Sequence, residues 1–163
     1  MKLSATIKGL ITGLLMVAVG LLIYVNKVGE HSALNYLAHL IYGLGIVWTV
    51  FSFAKENRTA RFKELFQQGF KCFIAATLVL AVYTFIYFKF NEAEIDKVVE
   101  LAKQERLKTA TDRTPAEIEV EAQQTKKYYI PFQVSGMVFS NILIGAVVTM
   151  ATAGSLYLRN KNQ

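Results

Sequence analysis

Few side chains in this sequence combine polarity with an apolar neighbourhood, and those few are where chemistry would have to sit. Asn35 and His39 are four residues apart in a long stretch without formal charge, so they share a face if that stretch is helical. Asn141 stands in a second such stretch. An imidazole beside two carboxamides suits a hydrogen-bonded packing contact, a proton relay or a headgroup contact. If the two stretches are helices entering a membrane from the same side, His39 and Asn141 lie at comparable depth. The expectation is then an interhelical hydrogen bond, worth roughly 1 kcal/mol.

Other chemistry finds little support. His39 has no second histidine or carboxylate at ligand spacing, and His31 is eight residues away, so no metal centre is expected. Cys72 is the only cysteine, which excludes an intrachain disulfide and a multi-cysteine metal site. It stands next to Lys71 and reads as a buried small apolar residue, with S-palmitoylation as the alternative. The sequence contains no G-x-S-x-G, no H-E-x-x-H, no phosphate-cradling glycine loop and no cysteine–histidine arrangement. A non-enzymatic chain without a cofactor is expected.

The elements that carry these residues are apolar blocks. Hydrophobic residues make up 53% of the 163 and charged residues only 18%, against about 25% in an ordinary soluble domain. A helix needs about 20 mostly apolar residues to cross some 30 Å of hydrocarbon, and four segments qualify: 9–25, 33–54, 69–88 and 131–158. Backbone groups in lipid must be satisfied internally, so such blocks are helices. They lack the period-two alternation of barrel strands. The first block follows Lys2 and Lys8 as in a signal peptide, but no small-x-small site follows it, and it reads as a retained helix. Gly9 and Gly13 form a G-x-x-x-G pair, and Gly145, Thr149 and Ala153 a small-residue stripe; both suit close packing within the bundle.

Four spans place both termini on one side. That side carries Lys2, Lys8, Lys55, Arg58, Arg61, Lys63, Lys71, Arg159 and Lys161, all near span ends. The other side has only Lys27, Lys89, Lys97, Lys126 and Lys127 comparably close, so the positive-inside rule puts both termini in the cytoplasm. The net charge of +6 is therefore a topology signal and not a nucleic-acid surface.

Residues 89–129 have eight basic and nine acidic side chains and should stay in water. Asn91 with Glu94, and Thr114-Pro115 with Glu117, are two helix-start signals, the second a capping box. Ile95, Val98, Val99 and Ala102 fall on one stripe after the first, and Ile118 and Ala122 after the second. A helical hairpin outside the membrane is expected, either as a connector packed on itself or as a docking surface for an extracytoplasmic protein through residues 91–127. Before the third span, Phe62, Phe66 and Phe70 share a face among Arg58, Arg61, Lys63 and Lys71. That suits an interfacial helix on anionic headgroups or an extension of the third span.

Residues 62–90, FKELFQQGFKCFIAATLVLAVYTFIYFKF, then 114–132, TPAEIEVEAQQTKKYYIPF, then 141–162, NILIGAVVTMATAGSLYLRNKN, resemble a bacterial membrane family known as domain of unknown function 4199, found mainly in Bacteroidota. The resemblance implies an inner-membrane protein of four helices and carries no activity, cofactor or catalytic residue. The expected class is all-α: one membrane domain over 1–163, a four-helix transmembrane bundle with an extramembrane helical hairpin between the third and fourth spans. The expected role is an accessory or scaffold of the bacterial envelope in contact with the lipid bilayer. The alternative is a small transporter or channel with a polar site near His39 and Asn141.

Overall fold

The computed structural model describes residues 3–26 and 34–161. Lys2, Lys27 and His31, which entered the charge and metal arguments, lie outside the described residues, as does Ala33, the first residue of the second expected span. The described residues form five α-helices and no strand: α1 (Ala5–Val25), α2 (Leu34–Glu56), α3 (Phe62–Phe90), α4 (Glu92–Thr109) and α5 (Pro115–Lys161). Four of them, α1, α2, α3 and α5, are long and apolar enough to cross a membrane. The chain divides into two compact units, one of residues up to 81 with those from 138 onward, the other of residues 82–137.

Local signals explain the boundaries. Ser4 caps α1, its hydroxyl accepting from the Ile7 N–H at 3.3 Å. The Arg61 N–H donates to Glu64 at 2.7 Å, satisfying a backbone donor where α3 begins. Helix α3 then continues unbroken through Phe62, Lys63, Phe66, Phe70 and Lys71 into the apolar block, while Arg58 and Arg61 precede it. It contains no proline to interrupt it.

Asn91 precedes α4, but its side chain makes no cap for that helix. The carboxamide donates instead to the Tyr87 carbonyl of α3 at 2.8 Å, and Glu94 accepts from the Tyr87 hydroxyl at 2.6 Å. The second signal acts as its spacing implies. Thr114 accepts from the Glu117 N–H at 3.3 Å, and the Thr114 N–H donates to Glu117 at 2.7 Å, a reciprocal capping box with Pro115 in the first helical position.

Pro131 does not end α5, which runs on to Lys161. A proline removes one N–H donor, a loss that helices of this kind tolerate when neighbouring groups satisfy the freed carbonyl. At 1.5 Å per residue a helix of 47 residues is about 70 Å long, more than twice the hydrocarbon thickness. Any membrane that α5 crosses therefore leaves a large part of it in water.

In the first unit the interior is built largely from small and β-branched side chains. Ile46 and Val50 of α2, Cys72 and Ala76 of α3, and Ala153 of α5 are buried together with Tyr42 and Phe73. Leu14, Leu22, Leu78 and Val147 point outward. Small residues inside and large aliphatic ones outside suit helices that are held by close packing in an apolar solvent.

Candidate functional site

The first unit contains a polar seam. Tyr42 of α2 is fully buried, and its hydroxyl donates to the Asn141 backbone carbonyl of α5 at 2.8 Å. The same oxygen is 3.3 Å from the Thr77 hydroxyl of α3. One phenol thus ties three helices. Deeper along α2, Thr49 donates to the Gly45 carbonyl at 2.8 Å and touches the Cys72 sulfur at 3.2 Å. Thr149 of α5 is fully buried and its hydroxyl has no hydrogen-bond partner among the described residues.

Glycines set how closely these helices approach. A Cβ on Gly9 would fall on the Cys72 carbonyl and Ala75 of α3, and one on Gly13 would meet Ala76 and Val79. At Gly45 it would strike Thr12 of α1, and at Gly69 it would strike Thr149 of α5. Gly145 lies against Phe73 and the Tyr42 hydroxyl. The G-x-x-x-G pair and the small-residue stripe are therefore used inside the first unit, as expected.

The residues expected to form a polar site are divided. Asn141 is buried at 5% exposure, whereas His39 is exposed. Asn35 lies in the first turn of α2. The structure groups Asn141 with Tyr42 and Thr77. Tyr42 was missed in the sequence because a tyrosine in an apolar run reads as bulk, although a hydroxyl in mid-span needs a partner.

One end of the first unit is basic. Arg58, Arg61 and Lys63 are exposed around the start of α3, and Lys71 is exposed about two turns further on. Arg159 of α5 lies over the Phe51 ring of α2 at 5.8 Å. Phe62, Phe66, Phe70 and Phe73 form a ladder of rings 5.1–6.4 Å apart. Lys8, counted in the sequence only as a flanking charge, is nine-tenths buried, with its ammonium 5.0 Å from the centre of the Trp48 ring.

In the second unit, charged side chains of α4 pair with those of the first turns of α5. Lys103 pairs with Glu119 at 2.6 Å, Arg106 with Glu121, and Asp96 with Lys126. Arg113 adds a second contact to Glu121 at 2.7 Å. Hydrogen bonds from Lys103 hold the Glu119 carboxyl below its ordinary range, and those from Arg106 do the same for Glu121. The Thr114 backbone N–H lowers Glu117 likewise, and the Glu119 carboxylate raises Lys103. Ile95, Val99 and Ile118 are buried, while Val98, Leu101, Leu107 and Val120 are exposed.

No curated protein and no solved structure matches the chain. The model of the family described as protein of unknown function (DUF4199) matches residues 8–156. The match spans nearly the whole sequence, including the buried Lys8, the tyrosine seam and the α4–α5 ion pairs, and the chain belongs to that family.

Proposed function

We propose that this chain is a non-enzymatic, multi-pass protein of the bacterial inner membrane that serves as an accessory or scaffold for other envelope components. In this reading α1, α2, α3 and the apolar part of α5 span the bilayer. The basic end faces the cytoplasm, as the positive-inside rule requires. Helix α4 and the first turns of α5 form an extracytoplasmic helical hairpin that docks a protein partner.

The observation that carries the docking role is the division of apolar side chains in the second unit. Ile95, Val99 and Ile118 suffice to pack α4 on α5, yet Val98, Leu101, Leu107 and Val120 stay exposed, Leu101 at 66%. A segment that only joined two spans would need a few residues. Aliphatic side chains exposed together on one segment are a feature of interaction surfaces. The transporter alternative has less support, because a buried Asn141 and an exposed His39 do not line one path.

The test is the size of the assembly on native gels after mild solubilisation of membranes. Val98→Ser, Leu101→Ser and Val120→Ser together should release the chain from a larger assembly while leaving its abundance unchanged. His39→Ala should leave the assembly intact. An assembly that survives the triple substitution contradicts the docking role.

A further inference from the structure

The basic end of the first unit contains a cavity of about 200 Å³, several times the volume of a water molecule. It lies between the N-terminus of α1, the C-terminal turns of α2 and the second turn of α3, with Ser4, Lys8, Thr49, Ser52 and Gln68 in its wall. We infer that this cavity is a binding site for a phosphate-ester anion, with the Lys8 ammonium as its central cationic donor.

Lys8 is nine-tenths buried, and no carboxylate among the described residues pairs with its ammonium. Its one described partner is the face of Trp48, an attraction weaker than a charge-assisted hydrogen bond. A buried ammonium without a counter-anion is costly, so the site favours an anionic occupant. The Ser4 hydroxyl accepts from the Ile7 N–H and keeps its own proton to donate. The N–H groups that open α1, at Ala5 and Thr6, precede the first intrahelical bonds and carry the positive end of the helix dipole. The Gln68 amide adds two more donors.

The hydroxyls of Thr49 and Ser52 give their protons to the Gly45 and Trp48 carbonyls, at 2.8 and 2.7 Å, and so are not donors to the cavity. The single carboxylate of the wall, Glu56, is exposed and has an interaction of its own. Several convergent donors around a helix N-terminus suit the oxygens of a phosphate. Leu3 and Phe53 supply an apolar edge that suits an ester carbon chain. Lys55, Arg58, Arg61 and Lys63 raise the local anion concentration at this end. The site depends on the chain crossing a membrane only for the source of its ligand, and not on any role of α4.

The chain has one tryptophan, and it is the residue against the Lys8 ammonium. Intrinsic fluorescence of the purified full chain in uncharged detergent micelles therefore reports the surroundings of that ammonium. Two probes separate the sources of the ligand. One is sodium phosphate, and the other is phosphatidylglycerol doped into the micelles. Sodium chloride at matched ionic strength and phosphatidylcholine are the blanks. The expected result is a saturable change in Trp48 emission with at least one probe, phosphate alone indicating a free anion and phosphatidylglycerol alone a lipid headgroup.

Lys8→Gln should weaken the response roughly tenfold or more, the loss of one charge-assisted hydrogen bond. Gln68→Ala, a milder change in a half-buried residue, should weaken it by a smaller factor. Lys63→Gln, an exposed charge at the same end, should leave it within about twofold. No saturable response beyond the blanks overturns the site. So does an equal response in Gln68→Ala and in folded Lys8→Gln.

Discussion

The Tyr42 hydroxyl donates to the backbone carbonyl of Asn141 at 2.8 Å, joining residues 99 apart in the chain. That carbonyl belongs to a helix, so the phenol adds a second donor to it and brings α2 against α5. Intramembrane hydrogen bonds of this kind contribute about 1 kcal/mol. Tyr42→Phe should lower stability by that amount, and Tyr42→Ala by about 3–5 kcal/mol, because it also empties a fully buried site. Denaturant unfolding of the micellar protein measures both. Equal stability of wild type and Tyr42→Phe would show that the hydroxyl is idle.

The glycines separate into those that are packed and those that are not. Gly9→Ala puts a methyl group on the Cys72 carbonyl, a backbone atom that yields only if α1 and α3 move apart. Overpacking of this kind should cost about 1–3 kcal/mol. A methyl group added at Gly43 or Gly154 would have nothing within 4 Å, so Gly43→Ala and Gly154→Ala should be neutral or slightly stabilising. Thermal unfolding of the three variants side by side tests the packing. A tolerated Gly9→Ala would mean that α1 does not approach α3 this closely.

Thr149 has a buried hydroxyl with no partner among the described residues, and its methyl group lies against Gly69. Thr149→Val keeps the shape and removes the unsatisfied group. Stability should be unchanged or rise by up to about 1 kcal/mol. A loss larger than about 1 kcal/mol would mean that the hydroxyl has a bonded partner in the membrane.

The α4–α5 pairing should weaken in acid. The carboxyl groups of Glu117, Glu119 and Glu121 are held below their ordinary 4.5 by Thr114, Lys103 and Arg106. Groups depressed in the folded state stabilise it above that value, and the contribution is lost as the pH falls through their folded values. Amide-exchange protection of residues 95–122, corrected for intrinsic rate, should therefore be flat near neutrality and fall below about pH 4.5. In Glu119→Gln the fall should be shallower. Protection that is constant down to pH 2 would contradict the ion-pair account.

The number of candidate spans and their helical type were legible because the apolar blocks are long and almost free of charge, and lipid leaves a helix as the only outcome. Thr114, Pro115 and Glu117 gave the start of α5 directly, since that signal is local. The rest depends on contacts between distant residues. Asn91 has the right spacing to cap α4, but its carboxamide finds the Tyr87 carbonyl, a partner behind it in the chain. Pro131 reads as a boundary and is instead an interior residue of α5.

The candidate site was legible only in part. Asn141 stood out as a polar residue in an apolar run, but which neighbour it meets is decided by helix rotation. The rotation of α5 buries Asn141 and that of α2 exposes His39, and neither rotation can be read from the sequence around them. Lys8 looked like one more flanking charge, because its burial comes from α2 and α3 closing over it.

In the proposed topology the basic end of the first unit faces the cytoplasm and α4 faces the other side of the membrane. Labelling of single cysteines tests it most directly. Glu105→Cys on α4 and Thr59→Cys before α3 are both at exposed positions, and the buried Cys72 should remain silent in the parent chain. A membrane-impermeant maleimide applied to intact spheroplasts should modify residue 105 at once, and residue 59 only after lysis. Labelling of residue 59 in intact spheroplasts, with residue 105 protected, would contradict the account.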